Sequence, residues 1–239
     1  MSETPSLPQS TLGIVADALS YPLLKKLSWW LLVVGCATAA VFLYSSGLLT
    51  RNAQSGRMLF LVLFLLGLTV RCYFSVIENT LTGYGEEAWQ SNQLRTDDLW
   101  SSMGTVALVA LISWAPAVAA GFWLHHNEMA LEPWLSVLGG LGCEYFTMAV
   151  IGTVVFGGMT GAMPQNVLPA IFRSGVSYGL GALGLLLIPW TFQWTLPAFR
   201  EYGIWGVVIA CAFSSYFLIV QARLAGLIYV ANREKIGWD

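Results

Sequence analysis

The chain has 239 residues, 56% of them hydrophobic and 10% charged, with 11 Trp and a formal net charge of −2. Soluble domains carry about 25% charged residues, so this is a membrane composition, and the near-neutral balance supplies no basic footprint for nucleic acid. The cysteines Cys36, Cys72, Cys143 and Cys211 stand singly in apolar runs without a CxxC, which points to inert buried thiols rather than a zinc or redox pair.

Residues 1–10 (MSETPSLPQS) are polar and proline-containing and read as a disordered tail. Glu3 and Asp17, with no Lys or Arg near them, are the reverse of a signal-peptide n-region. Insertion is therefore expected to be directed by the first hydrophobic span. In residues 11–27, Leu12, Val15, Leu19, Leu23 and Leu24 recur near helical spacing, and Lys25 and Lys26 close the segment. With Asp17 and Pro22 inside it, this stretch is expected to form an amphipathic helix lying along a membrane surface.

Six apolar stretches follow, at 28–49, 58–80, 100–124, 134–157, 174–195 and 203–230. Each is close to the roughly 20 residues that a bilayer crossing requires. Trp29, Trp30, Trp100, Trp123, Trp134, Trp190, Trp194 and Trp205 fall at their ends, as an aromatic belt does, and Trp114 falls in mid-span. The expected fold is an all-α integral membrane protein. About six transmembrane helices over residues 28–239 form a single bundle, preceded by the interfacial helix. Lys25, Lys26, Arg95, Arg173, Arg233 and Lys235 fall on one side, and Arg51, Arg57 and Arg200 on the other. The positive-inside rule then places both termini in the cytoplasm.

Charges inside the spans are the sharpest feature. Arg71 and Glu78 lie in the second span, Glu144 in the fourth and Arg223 in the sixth. Each costs roughly 2.5–3.5 kcal/mol on insertion scales unless something inside the protein answers it. Depth counting from the span starts pairs Arg71 with Glu144 and Glu78 with Arg223, which would tie the second helix to the fourth and sixth. The commonplace role for such pairs is to orient the bundle. A polar path for a proton or small ion is the functional one. Tyr73, Tyr145 and Thr147 would make only a short relay along it.

Other motifs carry less. In HHNEMALEP, His125, Glu128 and Glu132 could share a helical face and hold a divalent metal, but Pro133 limits the helix and a solvated turn is the plainer reading. Gly175 and Gly179 form a GxxxG that Ser177 and Gly181 extend, a face suited to close helix packing within the chain or between copies. MPQNVLPAIFR reads as a proline-framed connector, and the loop 83–99, with Glu86, Glu87, Asp97 and Asp98 against Arg95, as a solvated acidic face. In RLAGLIYVANREKIGWD the last helix continues beyond the membrane to an anchoring Trp238. No GxxxxGK[ST] loop is present.

The surface helix, the acidic ENTLTGYGEEAWQSN, the stretch LPAIFRSGVSYG and the terminal RLAGLIYVANREKIGW together resemble a group of bacterial multi-pass proteins of unassigned function. That group is loosely similar to Yip-type membrane domains. Thr80, Gly83 and Trp89 fit its T-x-x-G and tryptophan pattern, whereas Ala88 and Gln90 stand where the group has prolines. The resemblance implies an architecture and a bacterial inner-membrane address, and no catalytic residues. The expected function is accordingly non-enzymatic, without cofactor or metal. It is that of a scaffold or accessory subunit whose partners are the lipid bilayer and other membrane subunits or further copies of itself. A small channel or transporter working through Arg71 and Glu144 is the alternative.

Overall fold

The computed structural model describes residues 11–24, 35, 55–82, 96–129, 132–175, 178–179 and 203–238. These form six helices and one 3-10 turn, with no strand among the described residues. The helices are α1 (Thr11–Leu24), α2 (Ser55–Thr82), α3 (Thr96–His126), α4 (Glu132–Val155), α5 (Pro164–Ser174) and α6 (Gly203–Ile236). The 3-10 turn is Met159–Ala162, between α4 and α5. Stretches of α3 (Trp100–His126), α4 (Val137–Val155) and α6 (Ser215–Ile236) are long and apolar enough to cross a membrane.

The sequence expectations for 58–80, 100–124, 134–157 and 203–230 each meet a helix here. The expected spans 28–49 and 174–195 fall almost wholly outside the described residues, as do the tail 1–10, Lys25, Lys26, Ser177, Gly181 and the acidic loop as far as Arg95.

Helix ends follow local chemistry. Glu128 takes the left-handed conformation (φ 52) after α3, and the Met129 N–H returns to the Leu124 carbonyl at 3.0 Å, turning the chain into α4. The proline-framed connector is α5 itself. Pro164 sits at its first turn, where a missing N–H costs nothing, and Gly175 (φ 64) closes it with its N–H on Ile171 O. Gly175 is thus used up in ending a helix, so it does not share a continuous helical face with Gly179, as the GxxxG reading supposed. The last helix ends the same way, at Gly237 (φ 68), whose N–H meets Arg233 O at 3.0 Å. Arg173 of α5 donates to the carbonyl of Ile236 at 2.9 Å, a cation at the negative end of the α6 dipole.

Packing centres on α6, which lies against α2, α1, α5 and α4, while α3 leans on α2 and α4 from the rim. The core runs through Tyr73, Val76 and Ile77 of α2, Met148 to Ile151 of α4, Val167 and Ala170 of α5, and Ala222, Ala225 and Ile228 of α6. Trp114, the mid-span tryptophan, lies over Gly142 of α4 and stacks on Phe146 with centroids 5.2 Å apart. A β-carbon at Gly142 would fall 2.6 Å from the indole, so the glycine makes the notch that the ring fills. Trp238, expected as a headgroup anchor, packs against Phe156 and Tyr229 at the end of the bundle.

Candidate functional site: polar groups inside the bundle

Three long helices each turn one polar side chain to the same level. The Tyr73 hydroxyl (α2) donates to Gln221 Oε1 (α6) at 2.5 Å, and Gln221 Nε2 donates to Thr147 Oγ1 (α4) at 3.3 Å. Thr147 in turn donates to the Cys143 carbonyl of its own helix at 3.0 Å. Beside this layer the Tyr178 hydroxyl donates to the backbone carbonyl of Glu144. Tyr73, Thr147, Gln221 and Tyr178 are all buried. An amide and hydroxyls that satisfy one another this way fix the register of three helices, because a slide of one residue would orphan several groups at once.

The charged side chains form two further sites. Arg71 Nη1 meets Glu78 Oε1 at 3.2 Å along α2 itself. Seven residues make nearly two full turns, so the two side chains emerge on one face, and the lengths of both close the roughly 10 Å between their turns. Arg71 is the more enclosed, with 16% of its side chain accessible against 37% for Glu78, and its Nε is buried without a hydrogen-bond partner. The second site surrounds Arg223. Its Nε meets Asp17 Oδ2 at 2.9 Å, its Nη1 donates to Thr80 Oγ1 at 3.2 Å, and its guanidinium lies 4.7 Å from the centre of the Tyr21 ring. The Thr80 hydroxyl itself donates to Val76 O at 2.6 Å. Asp17 and Tyr21, one turn apart on α1, thus grip one cation from a charge and a ring face.

Both pairings therefore differ from those inferred from depth. Arg71 is answered by Glu78 and not by Glu144; Arg223 is answered by Asp17 and not by Glu78. Depth along a helix axis says which residues are level, but pairing also depends on which way each helix is turned. Glu144 makes no ion pair with a described residue, and its carboxylate lies by Gly179. The structure brings Tyr73 and Thr147 into the polar layer, while Tyr145 goes elsewhere, donating to Ala162 O at 2.6 Å. Asp17 and Gln221 join these sites without any motif in the sequence that marks them. The available signal was the same in each case, a polar residue in the middle of an apolar helix.

The metal reading of HHNEMALEP gains nothing from the geometry: no group of three His, Cys, Asp or Glu among the described residues is placed to hold an ion. Comparison with known protein families, curated proteins and solved structures finds no match for this chain.

Proposed function

We propose that this chain is a multi-pass membrane protein that acts without chemistry of its own, as a scaffold or accessory subunit in a larger membrane assembly. The observation that supports this is the position of α3. Only 17% of its apolar stretch is buried, against 56% for α4 and for α6, and it turns Leu108, Leu111, Val118 and Phe122 outward. A rim helix of this kind is available to a neighbouring membrane helix. The polar groups inside the bundle, by contrast, are mostly engaged with one another. On this reading the protein resides in a bacterial inner membrane with both termini cytoplasmic, an address that the Yip-like resemblance and the distribution of Lys and Arg support.

The test is affinity purification of the tagged protein from its own membranes in mild detergent, followed by mass spectrometry. A partner in stoichiometric amount is the expected result. A clean monomer or homo-oligomer overturns the assembly reading.

One observation favours the channel or transporter reading. Among the described residues Arg71 Nε is buried without a hydrogen-bond partner and Glu144 is not ion-paired, so each retains hydrogen-bonding capacity that a polar solute could use. That reading requires Glu144→Gln to abolish flux in proteoliposomes while the protein still assembles. Flux that survives the substitution removes it.

A further inference from the structure

Helix α1 is turned inside out relative to a helix in water. Its most accessible side chains are Leu12, at 83%, and Leu23, at 68%, and Val15, Ala16 and Leu19 complete the outward face. Every one is apolar. Its single charge, Asp17, points inward to Arg223, and Ser20 is occupied with the Asp17 carbonyl at 3.1 Å. A helix lying flat on a bilayer has a lipid face and a water face, and the water face must be polar. Among its described side chains α1 has no such face. The five most exposed side chains are all suited to hydrocarbon, while Asp17, with 39% of its side chain accessible, is the one charge left partly open, beside Arg223.

The contacts also show which face is covered. Ala18 and Pro22 are buried, and Ile14 and Tyr21 pack on the core. Spaced i, i+4, i+7 and i+8, these residues give α1 one covered face along its length, turned to a neighbour. That neighbour is α6, reached by Asp17 and Tyr21 at Arg223 and by the Leu19 carbonyl, which accepts from the Tyr216 hydroxyl at 2.7 Å. Residues 216 and 223 are both inside the apolar stretch Ser215–Ile236.

We infer that α1 is inserted lengthwise into the bilayer hydrocarbon beside α6, with Leu12, Val15, Leu19 and Leu23 against lipid acyl chains, in place of the surface orientation that its sequence suggests. Its 14 residues span about 21 Å, some two-thirds of a hydrocarbon core of about 30 Å. It is thus a partial insertion that α6 shelters through the Asp17–Arg223 pair. This rests on the proposed membrane location of the bundle.

The experiment uses the full-length chain with its cysteines replaced, reconstituted in phosphatidylethanolamine–phosphatidylglycerol vesicles. A single nitroxide is placed at 12, 15, 19 or 23, and collisions with oxygen and with a water-soluble nickel chelate are measured. Leu111 on α3 serves as the membrane control and Asn127 in the α3–α4 turn as the water control. The expected result is that oxygen dominates at all four α1 positions, with depths differing by about 16 Å between 12 and 23. Equal, shallow depths at the four sites, or nickel access to them while Leu111 stays protected, overturn the inference and leave the membrane location standing. Nickel access at Leu111 as well overturns both.

Discussion

At the scale of single residues, Gln221 is the side chain on which most depends. Tyr73→Phe takes away the hydroxyl that the Gln221 carbonyl oxygen accepts from, and an orphaned buried acceptor costs about 1–3 kcal/mol. Removing both partners with Tyr73→Phe/Gln221→Leu should recover part of that loss, because two apolar groups leave less unsatisfied than one polar group does. Unfolding of the detergent-solubilised protein by heat or denaturant reads the difference; a double variant that loses the full sum argues against coupling. The charges behave differently. Glu78→Gln withdraws the counter-charge from a guanidinium that already has one unpartnered N–H, so the folded fraction should drop clearly, whereas Glu144→Gln should leave it nearly unchanged. Size-exclusion profiles of the two variants make the comparison. The sequence showed that Arg71, Glu78 and Arg223 would need answers but not which residues answer. Helical spacing alone would have admitted Glu78 as a partner seven residues from Arg71. Asp17, taken by itself in the sequence, argues for keeping its helix out of the membrane.

At the scale of elements, the glycine-rich region divides into glycines with different jobs. Gly152 of α4 and Gly161 of the 3-10 turn stand with their backbones in contact, and a β-carbon on either would run into the other's carbonyl group. Neither side can yield, since both are main chain. Gly139→Ala, by contrast, would meet open space. We therefore expect Gly161→Ala to cost at least the 1–3 kcal/mol typical of overpacking, about that much or more, and Gly139→Ala to be neutral or slightly stabilising in its helix. Paired thermal melts check this, and equal melting temperatures for the two would show that α4 can separate from the turn freely. That helices approach closely somewhere between 139 and 184 was legible from composition. Which glycine permits a contact and which one ends a helix depends on the rotation and spacing of elements, and that is a tertiary property. The α5 segment shows the same limit from the other side. Its two prolines suggested a connector, yet Pro164 occupies the one turn of a helix that accepts proline readily and Pro169 is tolerated inside it.

At the scale of the molecule, α6 joins the parts. Gln221 reaches α2 and α4, and Arg223 holds α1 and touches α2. Gly226 lies so close to Thr80 that a β-carbon there would fall 2.7 Å from it, and Ile236 receives Arg173 from α5. Disrupting α6 should thus loosen every neighbour, while a change confined to α1 should loosen α1 alone. Asp17→Asn is the cleaner test. It leaves Arg223 with Thr80 and the Tyr21 ring, and because this pair is partly accessible its loss should fall below the 3–5 kcal/mol, about that range, of a fully buried pair. Limited proteolysis should then cut α1 faster while the rest of the bundle resists. Uniform proteolysis would mean that α1 supports the whole fold. The apolar stretches were readable because crossing length and hydrophobicity are properties of a segment, and four of the six expected spans coincide with described helices. The assembly of those helices rests on a few polar residues whose partners lie far away in sequence.

The grip on Arg223 has a consequence in time. Asp17 and Arg223 are separated by 206 positions, and at about 5–20 residues per second a ribosome needs about 10–40 s to deliver the second after the first. For that interval the carboxylate of α1 lacks the guanidinium it pairs with in the folded bundle, and an unpaired charge is costly to place in hydrocarbon. On the proposed insertion α1 must therefore wait at the water boundary until Arg223 has been made, so a ribosome stalled before codon 223 should leave α1 still outside.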